Sequence, residues 1–182
     1  VFEHKIDEDL SLRLIEYGDE EEVFRLIDGA RDYLREWLGF VDITKSVDDT
    51  KRFIDACKKG YADSKNKNVV ILFRGEIVGV GGFNDLDWTN RIAKMGYWLS
   101  EKYQGQGIIT RVARALTDYA LDELKMNKVE IRAAEGNVKS RAVPERLGYV
   151  KEGRIRAAER LYDHYVDHIV YGMLAEEWKK GM

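Results

Sequence analysis

The chain has little of several things, and each shortage excludes something. One cysteine, Cys57, stands among 182 residues, which rules out an intrachain disulfide and any cysteine-rich zinc site. One proline, Pro144, leaves little room for long irregular linkers. Its longest apolar run is the short Val69–Phe73, far below the ~20 residues that a membrane-spanning helix needs. The opening Val1-Phe2-Glu3-His4-Lys5 carries no apolar h-region, so no signal peptide is expected. Excess positive charge is absent too. Lys and Arg number 30 against 33 Asp and Glu, a formal net charge of -3, whereas a duplex-wrapping nucleic-acid binder is normally basic. No direct nucleic-acid partner and no membrane partner are therefore expected, and the single thiol suits a cytoplasmic location.

What is present is a normal globular composition. Hydrophobic residues make up 45% and charged residues 35%, which argues against disorder and low complexity. Residues 1–182 are read as one domain. Leu10–Ile15 alternates at period two and predicts a strand. Asp19 offers an N-cap to a helix with Val23, Phe24, Ile27 and Ala30 on one face, continuing through Tyr33, Leu34, Trp37 and Leu38. Ser46 and Asp49 start a second helix, with Phe53, Ile54 and Cys57 on its apolar face and an end near Gly60. Asn68–Phe73, Glu76–Phe83 and Arg91–Leu99 read as an antiparallel meander, with Arg74-Gly75 as a tight hairpin turn. Residues 107–124 predict a long amphipathic helix. A strand at Lys128–Ala133 and a short helix at Lys139–Leu147, ended by Gly148, follow. Strands from Tyr149 and over Tyr165–Leu174 close the chain. The order β-α-α-β-β-β-α-β-α-β-β predicts an α/β or α+β domain, a mixed sheet with helices on both faces.

Two segments carry chemistry. In Tyr97-Trp98-Leu99-Ser100-Glu101-Lys102-Tyr103-Gln104-Gly105-Gln106-Gly107-Ile108-Ile109-Thr110, a strand runs through a glycine-bearing turn into a helix. Converging N–H groups at that helix start form an anion cradle suited to a phosphate or pyrophosphate. No Gly-Lys-Ser/Thr follows, so it is not a Walker A loop, and the glycine spacing is not that of a dinucleotide fold. Taken alone, Gly-x-Gly equally fits a plain tight turn. The second segment runs from Glu135 to Tyr149. Asn137 and Ser140 are natural capping residues there, and Pro144, tolerated early in a helix, places its start near Lys139 or Ser140.

Together these segments resemble the GNAT superfamily of acetyl-CoA-dependent N-acetyltransferases, and within it the RimJ/RimL group that acetylates N-terminal amines of ribosomal proteins. Gly96-Tyr97-Trp98-Leu99 and Tyr103-Gln104-Gly105-Gln106-Gly107 are similar to the acetyl-CoA signature. Asn137-x-x-Ser140 with Glu145-Arg146-Leu147-Gly148-Tyr149 is similar to the next motif. Leu12-Arg13-Leu14 resembles the opening strand, and Glu152-Gly153-Arg154, Asp167, Tyr171 and Trp178 the C-terminal pattern. Ile109 departs from the signature, which ends in Gly or Ala, and its branched side chain is expected to crowd or shift the phosphate.

The resemblance implies a mostly antiparallel central sheet and acetyl-CoA as co-substrate, with no metal. It implies that residues Gln104, Gly105, Gln106, Gly107, Ile108, Ile109 and Thr110 hold the pyrophosphate. The strand end at Trp98 and Leu99 would splay and pair with pantetheine, an N–H near Leu99 polarising the thioester carbonyl. Asn137 and Ser140 would lie beside the sulfur, with Ser140 serving the departing thiolate. Glu159 would be the general base, acting through water, in direct attack without an acyl-enzyme. The acceptor is then a protein N-terminus, with a small amine (polyamine, amino acid or aminoglycoside) as the alternative. A non-catalytic acyl-CoA-binding module is the rival of another class. A homodimer is permitted.

Plainer readings stand beside these. Glu159 could pair with Arg156 or Arg160 on the surface, and Ser140 could be a cap. Cys57 reads as core. His164 and His168, near Asp163 and Asp167, lack a third ligand at zinc spacing. Trp37, Leu38 and Phe40, with Asp85, Asp87 and Trp88, are candidates to border the acceptor cleft. An acidic rim around Glu159 would attract a cationic acceptor.

Overall fold

A computed structural model describes residues 3–180; Val1 and Phe2, on which part of the N-terminal expectation falls, lie outside the described residues. Eight strands form one sheet in the order β1-β2-β3-β4-β5-β6-β8-β7. They are β1 (Glu3–Lys5), β2 (Leu10–Leu14), β3 (Lys67–Phe73), β4 (Glu76–Asp87), β5 (Ile92–Leu99), β6 (Lys128–Ala134), β7 (Val150–Leu161) and β8 (His164–Leu174). Every neighbouring pair is antiparallel except β5 and β6, which run parallel. The mixed, mostly antiparallel sheet expected from the sequence is the observed one.

Helices α1 (Glu20–Asp28), α2 (Arg31–Arg35) and α3 (Val47–Ala62) cover one face, and α4 (Ile108–Asp118), α5 (Val138–Arg146) and α6 (Ala175–Lys180) the other. The alternation of β3 explains both layers. Val69, Ile71 and Phe73 join the core under α4 and α5, while Val70 and Leu72 join the core under α1 and α3, as side chains on successive strand residues must.

Local chemistry sets most boundaries. Ser46 Oγ accepts from the Asp49 N–H, and the Asp49 carboxylate accepts from the Ser46 N–H, a reciprocal capping box that starts α3. Arg74 and Gly75 both take positive φ, the conformation of a two-residue hairpin turn.

Several expectations are corrected. Asp19 stands at the start of α1 without capping it; its carboxylate takes both guanidinium N–H groups of Arg13 at 3.0 Å and the Glu16 N–H at 2.8 Å. The first helical stretch breaks at Gly29-Ala30 into α1 and α2, where glycine is a poor helix residue. Phe53 is exposed, and only Ile54 and Cys57 of its trio are buried. The long helix beginning after Gly107 is α-helical only to Asp118 and then widens into a π-turn over Tyr119–Glu123. Pro144 lies well inside α5, six residues after its first.

Cys57 is buried, and that burial pushes its thiol up to about 12. Because the thiolate is the nucleophile, a thiol reagent at pH 8 is expected to leave the native protein unmodified and to label Cys57 fully once the protein is unfolded. Rapid labelling of the native form would contradict the placement.

Candidate active site

The site opens where two strands part. β5 and β6 are paired only from Ile92↔Lys128 to Met95↔Ile131. Beyond Met95, β5 stays paired with β4 as far as Gly79↔Leu99, and its other edge is left open. The Ser100 N–H donates to the Val78 carbonyl at 2.8 Å, toward β4. Backbone groups alternate sides along a strand, so the N–H groups of Leu99 and Tyr97 face the gap. The Leu99 carbonyl faces the same way, accepting from Gln104 Nε2 at 3.3 Å.

A cavity of about 1130 Å³ fills this gap. Tyr97, Trp98 and Leu99 of β5 form one wall, and Asn137, Ser140 and Val143 of the β6–α5 region form another. Tyr103, Gln104, Gly105, Gly107, Ile108, Ile109 and Thr110 line one end. The segment after α1 contributes Tyr33, Leu34, Glu36, Trp37 and Leu38. Trp37 reaches across to the β6–α5 turn, where a side chain in place of Gly136 would come within 3.0 Å of the indole.

The turn before α4 has the form of an anion cradle. Gly105 has φ +82° and Gly107 φ +71°, left-handed values that side chains make costly. Together they curl the chain so that it enters α4 with N–H groups facing outward. The first intrahelical bond comes from Arg111 N–H to Gly107 O at 3.2 Å, which leaves the N–H groups of Ile108, Ile109 and Thr110 for a ligand. Arg111 also braces the turn. Its guanidinium donates to the Gln106 and Gly107 carbonyls and to the Asp7 carboxylate, at 3.2, 3.3 and 2.6 Å. Ile109 is half-buried and packs partly against the core as well as lining the cavity.

In α5 the cap is Asn137, whose Oδ1 accepts from the Ser140 N–H at 3.3 Å. The Ser140 hydroxyl is therefore not the cap and makes no hydrogen bond among the described residues, and Ser140 is part of the cavity lining. Thus the structure gathers Trp98, Leu99, Gln104, Gly105, Gly107, Ile108, Ile109, Thr110, Asn137 and Ser140 on one cavity. Gln106 is exposed and outside its lining.

Glu159 stands apart from that lining. A bulge in β7 between Ile155 and Glu159 sets its carboxylate against His168 of β8, with Oε1 3.0 Å from Nε2. Its partner is this histidine; Arg160 instead donates to Tyr162 O. The other carboxylate oxygen would lie 3.7 Å from a Cβ at Gly39, one residue past Leu38 of the cavity wall. Local sequence singled out His168 beside His164 but carried no signal for its pairing with Glu159, nine residues away across a bulged hairpin. His164 bonds separately to Asp163 at 2.9 Å.

Two expectations fail. Asp85, Asp87 and Trp88 lie at the far end of β4, beside residues 92–94 of β5, where Trp88 donates to Ser64 O at 2.6 Å. They do not border the cleft. The cavity itself is lined by Arg111, Lys139 and Arg146 against Glu36, a balance suited to a polyanionic ligand. Phe40 does not line it either, but packs on Trp98 with ring centroids 6.3 Å apart.

The wall after α2 is clamped by the β7–β8 turn. Tyr162 Oη donates to Leu38 O at 2.6 Å, and Arg35 lies over the Tyr162 ring at 3.9 Å. Losing one such hydrogen bond costs about 0.5–1.5 kcal/mol. Tyr162→Phe is expected to lower the stability of the fold by about that much, read as a lowered midpoint in denaturant unfolding; an unchanged midpoint would show that the clamp contributes nothing.

A parted strand beside a helix-start anion cradle, with a basic cavity between, defines a coenzyme A-dependent acyltransferase. Residues 9–150 match the model of the acetyltransferase (GNAT) domain, and the chain belongs to that family. It is an N-acetyltransferase with acetyl-CoA as its co-substrate. It is 37% identical over 180 residues, 98% of each chain, to YdaF of Bacillus subtilis (strain 168), a protein named for ribosomal N-acetyltransferase activity. The ribosomal-protein-serine acetyltransferase of Escherichia coli (strain K12) is 29% identical over 94% of this chain and 96% of its own. Among solved structures, the microcin C7 self-immunity acetyltransferase MccE, in complex with acetyl-CoA and AMP, superposes with a TM-score of 0.88. It is 25% identical over 93% of this chain and 94% of its own.

Proposed function

We propose that residues 1–182 act as one domain that transfers acetyl from acetyl-CoA to the N-terminal α-amine of a protein, in the manner of the ribosomal N-acetyltransferases it is similar to. The observation that carries this reading is the cavity itself, which joins the cradle, the open edge of β5 and Ser140 in one space.

In this reading the Ile108, Ile109 and Thr110 N–H groups hold the pyrophosphate, and the open edge of Tyr97 and Leu99 pairs with pantetheine. The Leu99 N–H faces the gap, where it stabilises the oxyanion as the amine adds to the thioester carbonyl. The tetrahedral centre then collapses, the carbon–sulfur bond breaks, and the Ser140 hydroxyl donates a hydrogen bond or proton to the departing thiolate. The attacking amine must be neutral. An α-amine titrates near 7.7–8.0, so a carboxylate base acting through water suffices. Glu159 is assigned that role from its place beside Gly39, just past the cavity wall.

Initial rates with acetyl-CoA and peptide both varied test the mechanism. Intersecting double-reciprocal lines are expected for direct transfer in a ternary complex. Parallel lines would show an acyl-enzyme. Acetyl-CoA binding without amine-dependent thiol release would leave only a binding module.

A further inference from the structure

Pro144 has no N–H, and in a helix interior the missing proton is the one due to the carbonyl four residues back. That carbonyl belongs to Ser140. The structure supplies it with a donor from another element: Tyr97 Oη donates to Ser140 O at 3.1 Å. Tyr97 sits on the open stretch of β5, two residues before Leu99. Burial drives its hydroxyl well above the ordinary tyrosine range, so it remains a protonated donor throughout the working pH range. The bond therefore spans the gap between the strand that offers the Leu99 N–H and the helix that offers the Ser140 hydroxyl.

We propose that Tyr97 is a positioning residue for acetyl transfer, its hydroxyl replacing the amide proton that Pro144 lacks and locking Ser140 to the oxyanion-binding strand. The proposal rests on the reading of Ser140 as the group that serves the thiolate. Misplacement of a catalytic group by a fraction of an ångström slows reactions without weakening binding to match. Tyr97 touches no reacting atom in this scheme; it acts through Ser140.

The logic of the missing proton provides its own test. Tyr97→Phe removes that donor from Ser140 O, and kcat is expected to fall about five- to tenfold with KM for acetyl-CoA nearly constant. Adding Pro144→Ala returns an N–H to the helix at the one position that can bond Ser140 O. The Tyr97→Phe/Pro144→Ala pair is expected to recover kcat to within about twofold of Pro144→Ala alone. A merely structural tyrosine would not be rescued by a second change in another element. The overturning result is a double variant as slow as Tyr97→Phe, or a Tyr97→Phe enzyme at full rate. Ser140→Ala is assayed alongside. Full rate there overturns the reading of Ser140 and the proposal with it. A slow Ser140→Ala enzyme with an unrescued pair overturns the Tyr97 assignment alone.

Discussion

Glu159→Gln is expected to lower kcat/KM by about 10²-fold at pH 7, the lower range for loss of a general base, with a loss that shrinks as pH rises. The substitution keeps the shape and a hydrogen bond to His168 but removes the basic oxygen. Below the α-amine's pKa of about 8 most acceptor is protonated, and the enzyme must take that proton away. Above it, neutral amine arrives unaided. The profile of log kcat/KM against pH should therefore run well below the wild type on the acid side and approach it near pH 9. The distinguishing feature is this convergence. A uniform loss across pH would mean that Glu159 only orders the β7–β8 ribbon through His168. A wild-type rate at every pH would remove it from the reaction altogether.

Gly107→Val is expected to raise KM for acetyl-CoA at least tenfold, with a smaller change in kcat. Gly107 has φ +71° immediately before α4, where a side chain costs about 1–2 kcal/mol and a branched one more. A cost of about 1.4 kcal/mol is a factor of ten in an equilibrium constant. The turn can relieve that strain only by rotating the peptide units whose N–H groups form the cradle. A Cβ at this position meets nothing within 4 Å, so the Gly107→Ala change reports the backbone strain without a clash against the rest of the chain. Gly107→Ala, strained but unbranched, should fall between wild type and valine in KM by steady-state titration of acetyl-CoA. Equal KM in all three would show that the left-handed turn does not shape the binding site.

The parts of this molecule that were legible in its sequence are those fixed by near neighbours. Ser46 and Asp49 sit three apart, and the capping box follows from that spacing. Arg74-Gly75 between two apolar runs makes a hairpin, and Gly105 with Gly107 marks the strand-to-helix turn. That this turn shares a site with Asn137 and Ser140 came from the resemblance to the GNAT superfamily and not from local spacing, and the cavity does contain all of them.

What was not legible depends on residues far apart in the chain. Asp19 has the right chemistry for a cap, but Arg13 on β2 takes its carboxylate. Pro144 argues locally for an early helix position; a phenol on β5, 47 positions upstream in the numbering of the chain, provides what the proline cannot. Asp85, Asp87 and Trp88 look like a cleft-bordering loop until the antiparallel register places them at the opposite end of β5 from Leu99. The acidic excess of the chain likewise says nothing of its distribution, and the cavity gathers the basic Arg111, Lys139 and Arg146. In each case a long-range contact decides between options that the local pattern leaves equal.

The most direct measurement of the central claim is mass spectrometry of acceptors offered together. Purified protein and acetyl-CoA are incubated with peptides bearing free N-termini, with the same peptides blocked at the α-amine, and with polyamines, amino acids and aminoglycosides. The expected result is one acetyl group on the α-amine of free peptides, none on the blocked set, and Ser140→Ala and Glu159→Gln slower on the same acceptor. Acetylation confined to the small amines would contradict a protein N-terminus as the acceptor, and no acetylation of any amine would contradict the enzyme assignment itself.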